Sequence, residues 1–147
     1  MALLNYTTSV PANRSLAEIQ QALVKGGARS VMVDYDDAGQ PSALVFALRT
    51  PLGNASFRLP ATVAAVEKLL AGTGARSHRA GAKVSDAEHA RRVAWRVIKD
   101  WVEAQLALVE THMASLDQVM FPYLQVESGA TLYEAYRDRQ LALPSSK

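Results

Sequence analysis

The stretch Ser30-Val31-Met32-Val33-Asp34-Tyr35-Asp36-Asp37-Ala38-Gly39-Gln40-Pro41-Ser42-Ala43-Leu44-Val45-Phe46-Ala47-Leu48 decides the fold class. Val31, Val33 and Tyr35 alternate with Ser30, Met32 and Asp34, the pattern of a strand with one buried face. Asp36 to Gly39 then reads as a turn, because aspartate side chains close Asx-turns and glycine accepts positive φ. Pro41 falls where a strand begins, the place where a missing N–H does least harm. Ala43 to Leu48 is apolar on both faces, which puts it in the middle of a sheet. Pro51-Leu52-Gly53-Asn54 turns the chain again, and Ser56 to Leu59 supplies a further strand with Phe57 inward and Arg58 outward. These three segments read as an antiparallel meander.

Upstream, Tyr6 to Val10 alternates and carries threonines, which predicts one more short strand, ended by Pro11. Asn13 or Ser15 is then placed to cap a helix, with Glu18 in its first turn and an apolar stripe of Leu16, Ile19, Ala22 and Leu23. Gly26-Gly27 stops it, since a left-handed C-cap needs a residue without Cβ. Downstream, Pro60 suits the first turn of a helix whose buried side is Val63, Val66, Leu69 and Leu70, ending at Gly72-Thr73-Gly74. Residues 74–84 carry small spacers and positive charge without periodicity, and read as an exposed, mobile loop.

Ser85-Asp86-Ala87-Glu88 matches the capping box and opens the longest element, a helix that could run to about Ser115 or beyond. Ala94, Val97, Ile98, Trp101, Leu108, Val109 and Leu116 share one broad face, and Arg92, Arg96, Lys99, Glu103 and Glu110 take the other. So wide an apolar face implies contact with several elements or with a second subunit. Phe121-Pro122-Tyr123 breaks the pattern, Glu127-Ser128-Gly129 turns, and Thr131 can cap a last short helix before a frayed tail at Pro144 to Lys147. The expectation is a single α+β domain over 1–147: a small antiparallel sheet of about four strands within about 1–72, a basic loop over about 73–84, and a helical part over about 85–143 that contains the long C-terminal helix.

At 147 residues with 49% hydrophobic composition, the chain can bury a core unaided. It has no cysteine, which removes disulfides, thiol nucleophiles and thiolate metal sites together. The start shows no basic segment followed by an apolar run, and no stretch approaches the roughly 18 apolar residues of a membrane span, so a cytoplasmic protein without membrane contact is expected.

Catalytic constellations are missing as well. His78, His89 and His112 have no second ligand at metal-pair spacing. His112 falls on the apolar stripe near Gln105, where two partly buried polar side chains would bond to loops. Asp34, Asp36 and Asp37 lack the spacing and closing glutamate of a calcium loop and read as a solvated hairpin turn. Gly72 to Lys83 does not have the Walker spacing, and no G-x-G-x-x-G follows a strand. Neither enzyme activity nor a cofactor nor a metal is expected.

The net charge is only +2, but it is unevenly spread. Arg76, Arg79, Lys83, Arg91, Arg92, Arg96 and Lys99 lie close together, opposed locally by Asp86 and Glu88. Cations on a loop and an adjoining helix can follow a phosphate backbone, because contact releases condensed counterions. Arg76, Arg79, Lys83, Arg92, Arg96 and Lys99, with Trp95 at the edge of the apolar stripe as a stacking platform, therefore form a candidate surface for DNA or RNA. No paired side chains of a base-reading helix accompany them, so such binding would be sequence-independent. The competing reading is a solvated face with Trp95 packed in the core.

The segment Ala90 to Gln105, with Arg91-Arg92, Trp95-Arg96 and Lys99, followed by Val109-Glu110, resembles small uncharacterised proteins of tailed phages and prophages. Thr7-Thr8-Ser9-Val10-Pro11 with Ser15-Leu16-Ala17-Glu18-Ile19 is similar to their opening, and Phe121-Pro122-Tyr123-Leu124 with Gly129-Ala130-Thr131 to their end. The resemblance implies a phage or prophage product in the cytoplasm of a bacterial host. The resemblance carries no activity, and the residues leave two function classes open: a nucleic-acid-binding accessory, favoured by the basic stretch, or a protein-interaction module that self-associates or binds a host protein, favoured by the wide apolar face of the long helix.

Overall fold

The structure, a computed structural model, describes residues 4–73 and 85–138. The elements are α1 (Ala12–Lys25), β1 (Ser30–Tyr35), β2 (Pro41–Thr50), β3 (Gly53–Pro60), α2 (Val63–Thr73), α3 (Asp86–Glu110), α4 (Leu116–Val119), a 3-10 turn at Phe121–Tyr123, and α5 (Leu132–Arg137). The class is α+β, with one antiparallel sheet in the order β1-β2-β3.

The doubly apolar β2 is the central strand, as its composition predicts. Cross-strand rows Val31–Phe46–Phe57 and Val33–Leu44–Leu59 make the inner face. The Phe46 and Phe57 rings stack with centroids 5.2 Å apart. Ile19 and Leu23 of α1, Trp95 and Val102 of α3, and Leu116 and Met120 join these residues in one cluster. A second cluster unites Leu70 of α2 with Ala90 and Val93 of α3.

There are three strands among the described residues rather than about four. Residues 4–7 form a turn, and Tyr6 to Val10 lies along α3 instead of in the sheet. Its polar groups find side chains there: Asn5 donates to Asp100, the Tyr6 carbonyl accepts from the His89 ring, and the Ser9 carbonyl accepts from Arg92. With main-chain groups satisfied in this way, alternation alone does not recruit the segment into a sheet.

Several element ends also differ. α1 begins at Ala12 with Pro11 as an N-cap lacking a side-chain bond, so neither Asn13 nor Ser15 caps it. Gly26 keeps a right-handed conformation, and Gly27 carries the positive φ. Pro60 ends β3, and α2 starts at Val63. Ser85 does cap α3 by accepting from the Glu88 N–H, but the Glu88 carboxylate turns to Arg91 and Arg92 rather than closing the box. α3 stops at Glu110, short of Ser115: His112 adopts φ 62°, and the Met113 N–H bonds back to the Leu108 carbonyl. His112 is therefore exposed beyond the helix and not on its stripe. Thr131 caps α5 as expected, in a capping box with Glu134.

The burial of α3 explains why its broad face was placed off-centre. Val93 and Ala90 meet α2 while Trp95 and Val102 meet the sheet side, so the first half of α3 is packed on two flanks. The width of its apolar surface is thus accounted for within the chain, and self-association through this helix is not needed to cover it.

Trp95 is 0% exposed, whereas Trp101 is half-buried with its ring edge against Tyr123. Trp95→Ala is expected to lower unfolding free energy by about 3–5 kcal/mol and Trp101→Ala by clearly less; equal losses in denaturant titrations would contradict this packing. Ser15 is also fully buried, and its hydroxyl has no hydrogen-bond partner among the described residues. Ser15→Ala, which removes an unpaired polar group and improves helix propensity, should raise stability by about 0.5–1.5 kcal/mol in the same titration.

Candidate functional site

Of the residues expected to form a basic surface, Arg76, Arg79 and Lys83 lie outside the described residues. Arg92, Trp95, Arg96 and Lys99 sit on α3 where α1 crosses it. Trp95 points into the core and offers no ring face to a base; the stacking role expected for it is excluded by its enclosure. The sequence placed it at the stripe edge because one helix face was assumed, while two flanks are buried.

The three cations do share one surface, but each meets carboxylates of the same chain. Arg96 Nη1 is 2.7 Å from Glu18 Oε2 on α1. Lys99 Nζ is 2.9 Å from Glu103, 3.7 Å from Asp100 and 3.9 Å from Glu18. Arg92 Nε is 3.3 Å from Glu88, which also pairs with Arg91. Arg14 adds a contact to Glu18 at 3.4 Å. The side chains of Arg92, Arg96 and Lys99 are only 22%, 20% and 14% exposed. The outer side of α3 is therefore a nearly neutral seam rather than a solvated basic stripe, and a phosphate would have to displace resident carboxylates to bind.

Glu18 is the residue that sequence reasoning missed. The sequence pattern puts it in the first helical turn as a dipole partner, yet α1 starting at Ala12 places it in the second turn, paired with Arg96 of α3. Its partner Arg96 is 78 positions away, and no local spacing signals such a pair. Burial works to raise the Glu18 carboxyl, but the Arg96 hydrogen bond and charge, with Lys99 and Arg14, outweigh it and hold the group below its ordinary value.

Other candidate chemistry is accounted for locally. His89 is buried, and because a carbonyl only accepts, its Nε2 donates to the Tyr6 carbonyl at 2.6 Å. Asp34 faces Arg58 at 3.6 Å, and Asp36 accepts from the Ala38 and Gln40 N–H groups as an Asx-turn. Among the described residues no cluster of potential ligands could hold a metal ion, and no helix is long and apolar enough to cross a membrane. A cleft of about 270 Å³ between β3 and α3 is lined by Leu59, Pro60, Val97, Ile98, Trp101 and Tyr123, the tyrosine being its one ionisable side chain among the described residues. A second, of about 380 Å³ beside Gly26 and Leu106, holds Lys25, Glu103 and Glu110 but no histidine or hydroxyl.

Surface groups without an internal role cluster elsewhere. β1 is an edge strand, and Met32 and Tyr35 on it are 58% and 63% exposed. The opposite edge of the sheet is partly covered, since Leu124 bridges Phe57 and the Gln125 N–H bonds the Ser56 carbonyl. Arg29 and Asp37, at the two ends of β1, are exposed.

Replacement of Glu18 by glutamine should destabilise the fold by about 1–2 kcal/mol at neutral pH, because Arg96 keeps its charge and loses its counterion. A carboxyl depressed in the folded state contributes stability that is complete above its unfolded value of 4.5 and disappears as pH falls through the lower folded value. The gap between wild type and Glu18→Gln is therefore expected to close below that range in urea titrations run across pH; a gap that stays constant would remove the ion pair from the account. No family model, curated protein or solved structure shows a significant match to this chain.

Proposed function

We propose that this protein is a non-enzymatic interaction module that self-associates, a small accessory protein of a phage or prophage acting in the bacterial cytoplasm. The observation that carries this reading is the contrast between its two surfaces. Every α3 cation of the expected nucleic-acid surface is matched by carboxylates of its own chain, whereas β1 keeps exposed apolar side chains and, among the described residues, an edge that pairs with no strand. Exposed strand edges with apolar side chains are templates for pairing with another chain. Sequence-independent contact with DNA or RNA is the second reading, favoured by the positive charge of Arg76, Arg79 and Lys83.

One pair of measurements separates them. Sedimentation velocity up to about 100 µM, the range in which small interfaces assemble, should show species heavier than the 15.9 kDa monomer. Gel-shift titration with single- and double-stranded DNA and RNA at about 50 mM salt should show no retardation. A monomer throughout, combined with a salt-sensitive shift lost on replacing Arg76, Arg79 and Lys83 by alanine, would reverse the order of the two readings.

A further inference from the structure

We propose that the free edge of β1 pairs antiparallel with β1 of a second copy, so that two three-stranded sheets become one of six strands. This rests on the self-association reading and names its surface and register. β1 is six residues long, Ser30–Tyr35, and contains neither the lysine nor the proline with which natural edges are blunted. The register shift between Asp34 and Tyr35 moves the partner from Ala43 to Pro41, so the extra residue, Ser42, is on β2 and β1 itself stays regular. Among the described residues nothing pairs with its outer edge, so the strand can accept a neighbour along its length.

Charge decides the orientation and the occupant. Arg29 stands before the strand, and Asp36 and Asp37 stand after it. Among the described residues neither the Arg29 guanidinium nor the Asp37 carboxylate has a partner, whereas Asp34 and Asp36 are engaged within the chain. Parallel pairing of two copies would set like charges side by side at both ends. Antiparallel pairing sets each arginine against the acidic end of the other copy, twice over by symmetry.

A continuous sheet with the helices of both copies on one side requires opposed residues of like parity. With the two-fold axis at Val33, Val31 opposes Tyr35 of the second copy, and Arg29, just before the strand, comes beside the turn that carries Asp37. With the axis at Met32, Ser30 would oppose Asp34, and Arg29 would fall level with Tyr35, short of the acidic turn. The first register is the one the charges select. Two short edges make a small contact, below the roughly 1,200 Å² of a stable interface, so a weak, salt-sensitive dimer is expected.

The test compares wild type, Arg29→Glu, Asp37→Arg and the double reversal by sedimentation equilibrium at about 50 mM salt, where screening is modest. Both side chains are exposed, so folding should survive, which circular dichroism verifies. Each single reversal should weaken dimerisation by about ten-fold or more, since two pairs are lost and like charges replace them; the double reversal should restore it. In the chain, which has no native cysteine, a spin label at Ser30→Cys should report two backbones about 20 Å apart, six strand rises from Ser30 to the position opposite it. A dimer unaffected by the single reversals, or one the double reversal fails to restore, overturns this edge and register while leaving self-association standing. A monomer at every concentration overturns both.

Discussion

The enclosure of Trp95 between α1 and the sheet is the contact on which the remaining architecture depends. An aromatic side chain of this size removes about 150–250 Å² from water when buried, and this one is closed in completely. It belongs to the cluster of Ile19, Leu23, Phe46 and Phe57, so one side chain ties α3 to both other layers. With α3 seated, its far flank offers Ala90 and Val93 to Leu70 of α2. Its polar residues His89, Arg92 and Asp100 then hold the N-terminal segment. Leu116 and Met120 close the end of the same core after the chain reverses at His112.

Seating α3 also decides the fate of its charges. The crossing with α1 brings Glu18 within reach of Arg96 and Lys99, and the i, i+4 partners Glu88 and Glu103 complete the seam. Ion pairs in such partly covered positions contribute modestly to stability. Their larger consequence is electrostatic: a run of cations that looks like an anion site in the primary structure presents little free positive charge in the fold.

That sheet is asymmetric. One face is covered by α1 and α3, and the β3 edge meets Leu124 and Gln125, but β1 meets no strand on its outer side among the described residues. A three-stranded sheet is near the lower limit of independent stability, and pairing at its open edge would extend both the hydrogen-bonded ladder and the apolar rows. Arg29 before the strand and Asp37 in the turn after it are exposed charges of opposite sign, the basis of the pairing proposed above.

The three-stranded meander and the N-caps Ser85 and Thr131 were legible, though β3 already begins at Gly53, inside the expected turn, because period-2 alternation, turn chemistry and caps are local and act within a few positions. The α+β class followed from them. What the primary structure could not convey was whatever depends on a second element arriving. Tyr6 to Val10 alternates like a strand, yet its Tyr6 and Ser9 carbonyls accept from His89 and Arg92 of α3 and the segment lies along that helix. Trp95 looked peripheral because a helical wheel assumes one buried face, and only the arrival of α2 opposite the sheet gives α3 two. The cations of α3 looked free because their main counterion, Glu18, is 78 residues from Arg96 in the chain and adjacent only after the helices cross. Local free energies set each element, while contacts between elements distant in sequence set which faces are buried and which charges remain unpaired, and those two properties determine where such a molecule can bind anything.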